Sequence, residues 1–167
     1  MIDEELKLFK EKPEAEYKIK ETGEKISLEK IKKIVSIYQE RLKKLSEISE
    51  LADFFFKKKL VFNPKLLKWK DMNKREILKS LDKSLKILSK IKRENFKKEN
   101  LEKILLLEAE KFSREIKRKT GDRGYLLWPL RVALTGKEAS APPFEIAEIL
   151  GKEKTLRRIK EAKKIAK

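Results

Sequence analysis

The chain has 167 residues and a formal net charge of +17, and charged side chains make up 44% of it. Cysteine and histidine are both absent, which excludes disulfides and thiolate chemistry and removes the commonest metal ligand and general base. This excess of positive charge favours a polyanionic partner and leaves nucleic acid, an anionic membrane and an acidic protein open, although lysine-rich compositions also occur as a general feature of some proteomes.

No apolar run approaches the roughly 20 residues that span a bilayer, and the charged N-terminus is unlike a signal peptide. We therefore expect a cytoplasmic protein without a membrane segment. Glycine and proline are scarce, and apolar residues recur at three- and four-residue steps with no competing strand pattern. The sequence predicts an all-α fold of six or seven helices in two small helical subdomains.

Residues 1–26 form the least defined segment. Pro13 and Gly23 interrupt it, while Ile2, Leu6 and Phe9 recur at helical steps. We expect a short helix followed by a linker.

Residues 27–70 are predicted to form the first helical subdomain. Ser27 is a suitable N-cap for a long amphipathic helix. The apolar face of that helix would consist of Leu28, Ile31, Ile34, Val35, Tyr38, Leu42 and Leu45. A cluster of three phenylalanines at 54–56 indicates a packed joint, and a basic connector follows over residues 57–71.

Residues 71–167 are predicted to form the C-terminal subdomain. Asn73 and Glu76 have the spacing of a capping box at the start of one helix. A second helix is expected to end near Lys119, with an inward face of Leu101, Ile104, Leu105, Leu107, Phe112 and Ile116. The last helix, within residues 155–166, would point Leu156, Ile159, Ala162 and Ile165 inward.

The stretch YLLWPLRVALTGKEASAPPFEIAEILG, residues 125–151, reads as helix, loop and helix. Its first half is apolar apart from Arg131 and stops before Gly136, a residue type common just past a helix end. Pro142 and Pro143 are suited to the first turn of a second short helix.

This stretch resembles the C-terminal end of bacterial-type glutamyl-tRNA synthetases. The matching positions are Leu127, Trp128, Pro129, Leu130, Arg131, Ala133, Leu134, Thr135, Gly136, Ser140, Pro143, Phe144, Glu145, Ile146, Leu150, Gly151 and Lys152. A looser similarity extends through residues 39–56 and 66–70. The resemblance implies a helical anticodon-binding domain that binds tRNA.

Arg131 has two interpretations. An arginine among apolar neighbours needs a partner, and an ion pair with Glu145 or Glu148 would provide one. Alternatively, its guanidinium hydrogen-bonds or stacks on an unpaired base, as arginine does in single-stranded RNA loops. The resemblance favours this second role, because an arginine here lines the anticodon pocket in similar family members.

Arg41 reads as a solvated charge on an amphipathic helix when it is considered alone. In similar synthetases, an arginine in the matching region is associated with distinguishing glutamate from glutamine anticodons by the third base. Carried over, Arg41 would read that base.

The loop between the two helices is either a tight corner or a surface that contacts splayed bases. In the second case, loop backbone groups and the Ser140 hydroxyl would contact the bases. The positions expected to serve are Thr135, Ser140, Ala141, Pro142 and Pro143. Relatives often have glycine where this chain has Pro142, which restricts the backbone and removes an N–H.

Trp69 and Trp128 could stack on bases, although leucines beside each favour core packing. The basic runs are ordinarily solvated faces. If RNA binds, they are the natural phosphate contacts, and the positions expected to serve are Lys57, Lys58, Lys97, Arg157 and Arg158.

Both nucleotide-binding signatures of class I synthetases are absent from the sequence. ATP and Mg²⁺ are therefore expected only in a separate catalytic domain, in cis or in trans, and this chain is expected to be a monomer that binds glutamate tRNA. Two alternatives remain open: a stand-alone helical RNA-binding module, and a helical bundle that docks an acidic protein partner.

Overall fold

The computed structural model describes residues 16–19, 22–41, 44, 47–118 and 120–167, except for the side chains of residues 16 and 41. The chain divides into two compact units, Met1–Lys58 and Lys59–Lys167. Most of the predicted basic connector belongs to the second unit. There Trp128 Nε1 donates to the carbonyl oxygen of Leu66 at 2.7 Å. This hydrogen bond ties the connector to the helix that carries Trp128.

The first unit contains a small antiparallel ribbon that the sequence did not predict. Strands β1 (Glu16–Lys18) and β2 (Lys25–Ser27) pair with Tyr17 opposite Ile26. Gly23, with φ of +69°, lies in the connecting turn, a conformation that glycine adopts readily. A two-stranded ribbon of three residues a strand gives almost no periodic signal. The predicted face of Ile2, Leu6 and Phe9 lies outside the described residues.

Helix α1 (Leu28–Ser36) begins as predicted, because the Ser27 side chain accepts a hydrogen bond from the backbone N–H of Lys30. It ends much earlier than predicted. The Ser36 hydroxyl donates to the carbonyl oxygen of Lys33, and such side-chain bonds compete with the helix. The chain then turns and buries Tyr38, and a short 3-10 turn follows over Gln39–Arg41. Leu42 and Leu45 lie outside the described residues.

Helix α2 (Glu47–Ala52) leads directly into a 3-10 turn at Asp53–Phe55. Phe54 and Phe55 are both buried, and their ring centroids are 4.3 Å apart. The phenylalanine cluster is therefore a packed joint within the first unit, as the sequence indicated.

The second unit contains the larger core. Its described helices are α3 (Lys74–Lys90), α4 (Lys98–Glu115), α5 (Gly124–Thr135), α6 (Pro143–Leu150) and α7 (Lys152–Ile165), with 3-10 turns at Pro64–Leu67 and Arg93–Asn95. The predicted capping box of α3 is present, since Asn73 and Glu76 exchange side-chain to backbone bonds. With seven helices in the described residues, the all-α prediction is confirmed.

Helix α5 lies at the centre of this unit. It contacts α3, α4, α6, α7 and the Pro64–Leu67 turn. Its side chains are apolar on nearly every side, and a helix of that kind is stable only when it is surrounded. The positions of the side chains on α5 are therefore fixed by packing against all of these elements.

Two details of the other helices differ from the prediction. Helix α4 ends at Glu115, before Lys117 takes a positive φ of 53°. Leu107, expected to point inward, is 54% exposed. None of the helices in the described part of the chain combines the length and apolar character needed to cross a membrane.

Candidate nucleic-acid interface

Arg131 lies on α5 and is half-buried. Its Nη2 donates to the carbonyl oxygen of Glu138 at 2.6 Å, and its guanidinium carbon is 4.4 Å from the centroid of the Trp128 ring. Trp128 precedes it by three residues, which places both side chains on one side of the helix. These contacts hold the guanidinium at the edge of the loop between α5 and α6.

Glu145, the proposed ion-pair partner of Arg131, pairs with Lys98 at 2.8 Å. The hydrogen bond with Glu145 raises the pKa of Lys98. This pair ties the start of α6 to the start of α4.

Thr135 organises the start of the loop. Its side-chain oxygen donates to the carbonyl of Arg131 at 2.9 Å and accepts from the N–H of Lys137 at 3.1 Å. Gly136 follows with φ of +67°, so the predicted glycine end of the helix is confirmed. Because Thr135 is only 2% exposed, its side chain shapes the corner and is not available to a base in this conformation.

The rest of the loop is only partly accessible. Ala141 is fully buried and Pro143 is buried at the first position of α6, so neither side chain is open to a ligand. Ser140 is half-buried and donates to the carbonyl oxygen of Ala141 at 3.1 Å, and Pro142 is half-buried. The loop therefore offers a ligand mainly residues 138–140 and Pro142.

Two cations and two indoles form a row beside this loop. The ring centroids of Trp69 and Trp128 are 4.8 Å apart with a tilt of 36°. Lys70 Nζ lies 5.3 Å from the Trp69 ring, and Arg131 packs on Trp128 at the other end. Both geometries are those of cation–π contacts. We call Lys70, Trp69, Trp128 and Arg131 the tryptophan row.

Asp122 fixes one end of the tryptophan row, and sequence reasoning did not single it out. Its carboxylate accepts from Trp69 Nε1 at 3.1 Å, from Lys70 Nζ at 2.6 Å and from the N–H of Gly124 at 3.0 Å. Burial would raise the pKa of Asp122, but these three donors outweigh it, and the pKa is lowered. The available signal was local, because an aspartate side chain often accepts a hydrogen bond from the backbone N–H two residues further on, as in an Asx turn.

Arg41 ends the 3-10 turn Gln39–Arg41, and its side chain lies outside what the structure describes. It belongs to the first compact unit, whereas the loop and the tryptophan row belong to the second. Its role in reading the third base stays a prediction.

The expected phosphate contacts differ in accessibility. Lys58, Lys97 and Arg157 are exposed, and Lys57 pairs with Asp53 at 2.6 Å. Arg158 is 1% exposed and donates from Nη1 to the carbonyl oxygen of Leu134 at 2.5 Å. The expectation of a surface contact is therefore wrong for Arg158, which instead binds the last turn of α5.

Comparisons of the sequence with a family model and with curated proteins agree with each other. Residues 6–163 match the family described as an anticodon binding domain. A glutamate–tRNA ligase from Clostridium botulinum strain Okra is 38% identical over 132 residues, covering 77% of this chain and 25% of that protein. Glutamate–tRNA ligase 1 from Caldanaerobacter subterraneus is 33% identical over 141 residues, covering 84% of this chain and 27% of its own length.

A solved structure shows the same fold. A glutamate tRNA ligase from Elizabethkingia meningosepticum, crystallised with its amino acid, aligns with 99% of this chain and 28% of its own at a TM-score of 0.66. The sequence identity is 22%. The chain spans about a quarter of the length of the curated relatives it matches.

Proposed function

The chain belongs to the family of anticodon-binding domains, and from that premise we propose that it binds the anticodon loop of glutamate tRNA as part of a glutamate–tRNA ligase. The similar ligases support the choice of enzyme. The net charge of +17 supports a polyanionic ligand. In this proposal glutamate activation, with its ATP and Mg²⁺, takes place in a catalytic domain supplied in cis or in trans. The chain works as a monomer in the cytoplasm.

The tryptophan row is the observation that carries the proposal. RNA recognition in loops relies on unpaired bases that stack on aromatic rings or on arginine planes and that hydrogen-bond along their edges. Arg131 presents a guanidinium at the edge of the α5–α6 loop. The guanidinium packs on the Trp128 ring and donates to the carbonyl oxygen of Glu138. We assign Arg131 to a base contact, Ser140 and Pro142 to the adjoining loop surface, and the buried Thr135, Ala141 and Pro143 to the shape of that surface.

Arg41 is assigned to the third anticodon base. A guanidinium suits this role because a cytosine offers acceptors on its edge. The exposed cations Lys58, Lys97 and Arg157, with Lys57, would contact phosphates and supply the part of the affinity that depends on salt.

The test is a titration of this chain with glutamate tRNA at several salt concentrations, beside a tRNA altered at the third anticodon base. We expect tighter binding of the unaltered tRNA. Arg131→Ala should weaken binding to both tRNAs by roughly tenfold or more, and Arg41→Ala should remove the preference between them.

Arg75→Ala is the matched control, because Arg75 is an exposed arginine on α3 outside the proposed surface. It should leave the preference between the two tRNAs unchanged. Equal binding of both tRNAs by the unaltered chain, lost together as salt rises, would reject anticodon reading.

A further inference from the structure

A groove runs along the hairpin of α3 and α4, which are joined through the Arg93–Asn95 turn. One end is a hollow of about 650 Å³ whose apolar lining is Ile87, Ile91 and Ile104. A second hollow of about 380 Å³ is lined by Phe112 and Ile116. Lys83 and Lys86 line both, so the two hollows adjoin along α3.

A stripe of lysines forms one wall of the groove. Lys79, Lys83, Lys86 and Lys90 follow one another at steps of four, three and four residues, which places them on one face of α3. From the first to the last, the stripe advances about 16 Å along the helix, or three turns. Lys92 extends the basic wall beyond the helix end.

Most of this positive charge is not neutralised. Lys83 is held across the groove by Glu115 at 2.7 Å and by Glu108 at 3.2 Å, and the hydrogen bond with Glu115 raises the pKa of Lys83. Among the described residues, Lys79, Lys86, Lys90 and Lys92 have no carboxylate within ion-pair distance. The groove thus combines an apolar floor with an excess of cations along one rim.

We propose that this groove binds an amphipathic helix with acidic flanks from a protein partner. Apolar side chains at three- and four-residue spacing would occupy the isoleucine floor, and carboxylates beside them would face the lysine stripe. A nucleic-acid backbone would use the lysines but not the isoleucines, so the floor favours a protein helix. The lysine stripe and the isoleucine floor share no residue with the proposed tRNA contacts, of which Lys97 lies between the lining residues Asn95 and Asn100.

The probe is a fluorescent synthetic peptide of about 16 residues, with leucines at helical spacing and glutamates on the flanks, compared with a peptide of the same composition in scrambled order. Fluorescence anisotropy measures binding to the whole chain. We expect the amphipathic peptide to bind roughly tenfold or more tightly than the scrambled one, since only the first presents a continuous apolar face.

The double variant Lys86→Glu/Lys90→Glu reverses two rim charges and should weaken peptide binding by roughly tenfold or more. Its matched control is Lys160→Glu/Lys164→Glu, which reverses two exposed lysines at the same spacing on α7 and should change binding less than about twofold. Circular dichroism confirms that both variants are folded.

A third variant, Ile104→Asn, tests the floor without changing charge. It should weaken the amphipathic peptide and leave the scrambled one unchanged. Equal binding of the two peptides would overturn the proposal. So would a loss of tRNA binding in Lys86→Glu/Lys90→Glu without loss of the peptide, because the groove would then be a nucleic-acid surface.

Discussion

The indole of Trp69 lies directly against the backbone of Gly124, in space that any side chain would fill. A Cβ atom at Gly124 would come within 2.3 Å of Nε1 and Cε2 of that ring. Gly124 is the first residue of α5, and the tryptophan occupies the space that a side chain there would need. The tryptophan row depends on this contact, since Trp69 is its second member.

Gly124→Ala should therefore displace Trp69 and lower the free energy of unfolding by about 1–3 kcal/mol, as overpacking does. Urea unfolding monitored by tryptophan fluorescence measures the change. The cost should shrink in a Trp69→Ala background, because the collision is then absent. An undiminished cost in that background would show that the contact is not its source.

Asp122 should make the stability of the fold depend on pH in the acidic range. Its pKa is lowered in the folded state, so its contribution is complete above the unfolded pKa of about 4 and disappears as pH falls through the lowered folded value. Asp122→Asn should lower stability at neutral pH and flatten the acid decline of the melting temperature.

Thermal unfolding between about pH 7 and pH 3 measures this dependence. Glu94→Gln, at an exposed carboxylate, should leave the decline unchanged. An Asp122→Asn profile parallel to that of the unaltered chain would contradict the prediction.

Substitutions of Arg157 and Arg158 should have different effects, one on tRNA binding and the other on the stability of the fold. Arg158→Ala removes a buried donor to Leu134 and should destabilise the fold by about 2–4 kcal/mol. Arg157→Ala removes an exposed charge and should change stability by less than about 0.5 kcal/mol while reducing the salt slope of tRNA binding by up to about 1. Denaturant unfolding and the salt titration, applied to both variants, measure the two effects. A reversed pattern would contradict the structure.

Arg131→Lys tests whether shape or charge matters at the proposed anticodon contact. Lysine keeps the charge but has neither the planar surface nor the fork of donors. We expect affinity for the unaltered tRNA to fall by roughly tenfold with the salt slope preserved. Arg75→Lys serves as the matched control in the same tRNA titration at several salt concentrations. Full affinity in Arg131→Lys would mean that the position supplies charge alone.

Local features were predictable from the sequence because they depend on neighbouring residues. The Ser27 cap, the Asn73 and Glu76 capping box and the left-handed Gly136 are confirmed. Each is set within about one helical turn of the chain. The early end of α1 is also set locally, by the Ser36 hydroxyl that competes with the helix. The prediction missed it because the apolar periodicity continues past Ser36.

The tryptophan row was not predictable, because Trp69 meets Trp128 and Asp122 only through packing on α5. Burial of Arg158, by contrast, had a signal that was missed. It falls three residues after Thr155 and four before Ala162, both buried, and therefore lies on the inward stripe of α7. Arg157 and Arg158 were both interpreted as surface charges because they form a basic run. Their positions in the helical period instead place Arg157 outward and Arg158 inward.

The division of the chain between Lys58 and Lys59 has a consequence for affinity. The two proposed base-reading arginines, Arg41 and Arg131, belong to different units, so the tRNA would be a bivalent ligand. Its affinity would then depend on the effective concentration that the junction imposes on the second contact. A flexible insertion at this junction should therefore weaken tRNA binding without altering any side chain assigned to an RNA contact.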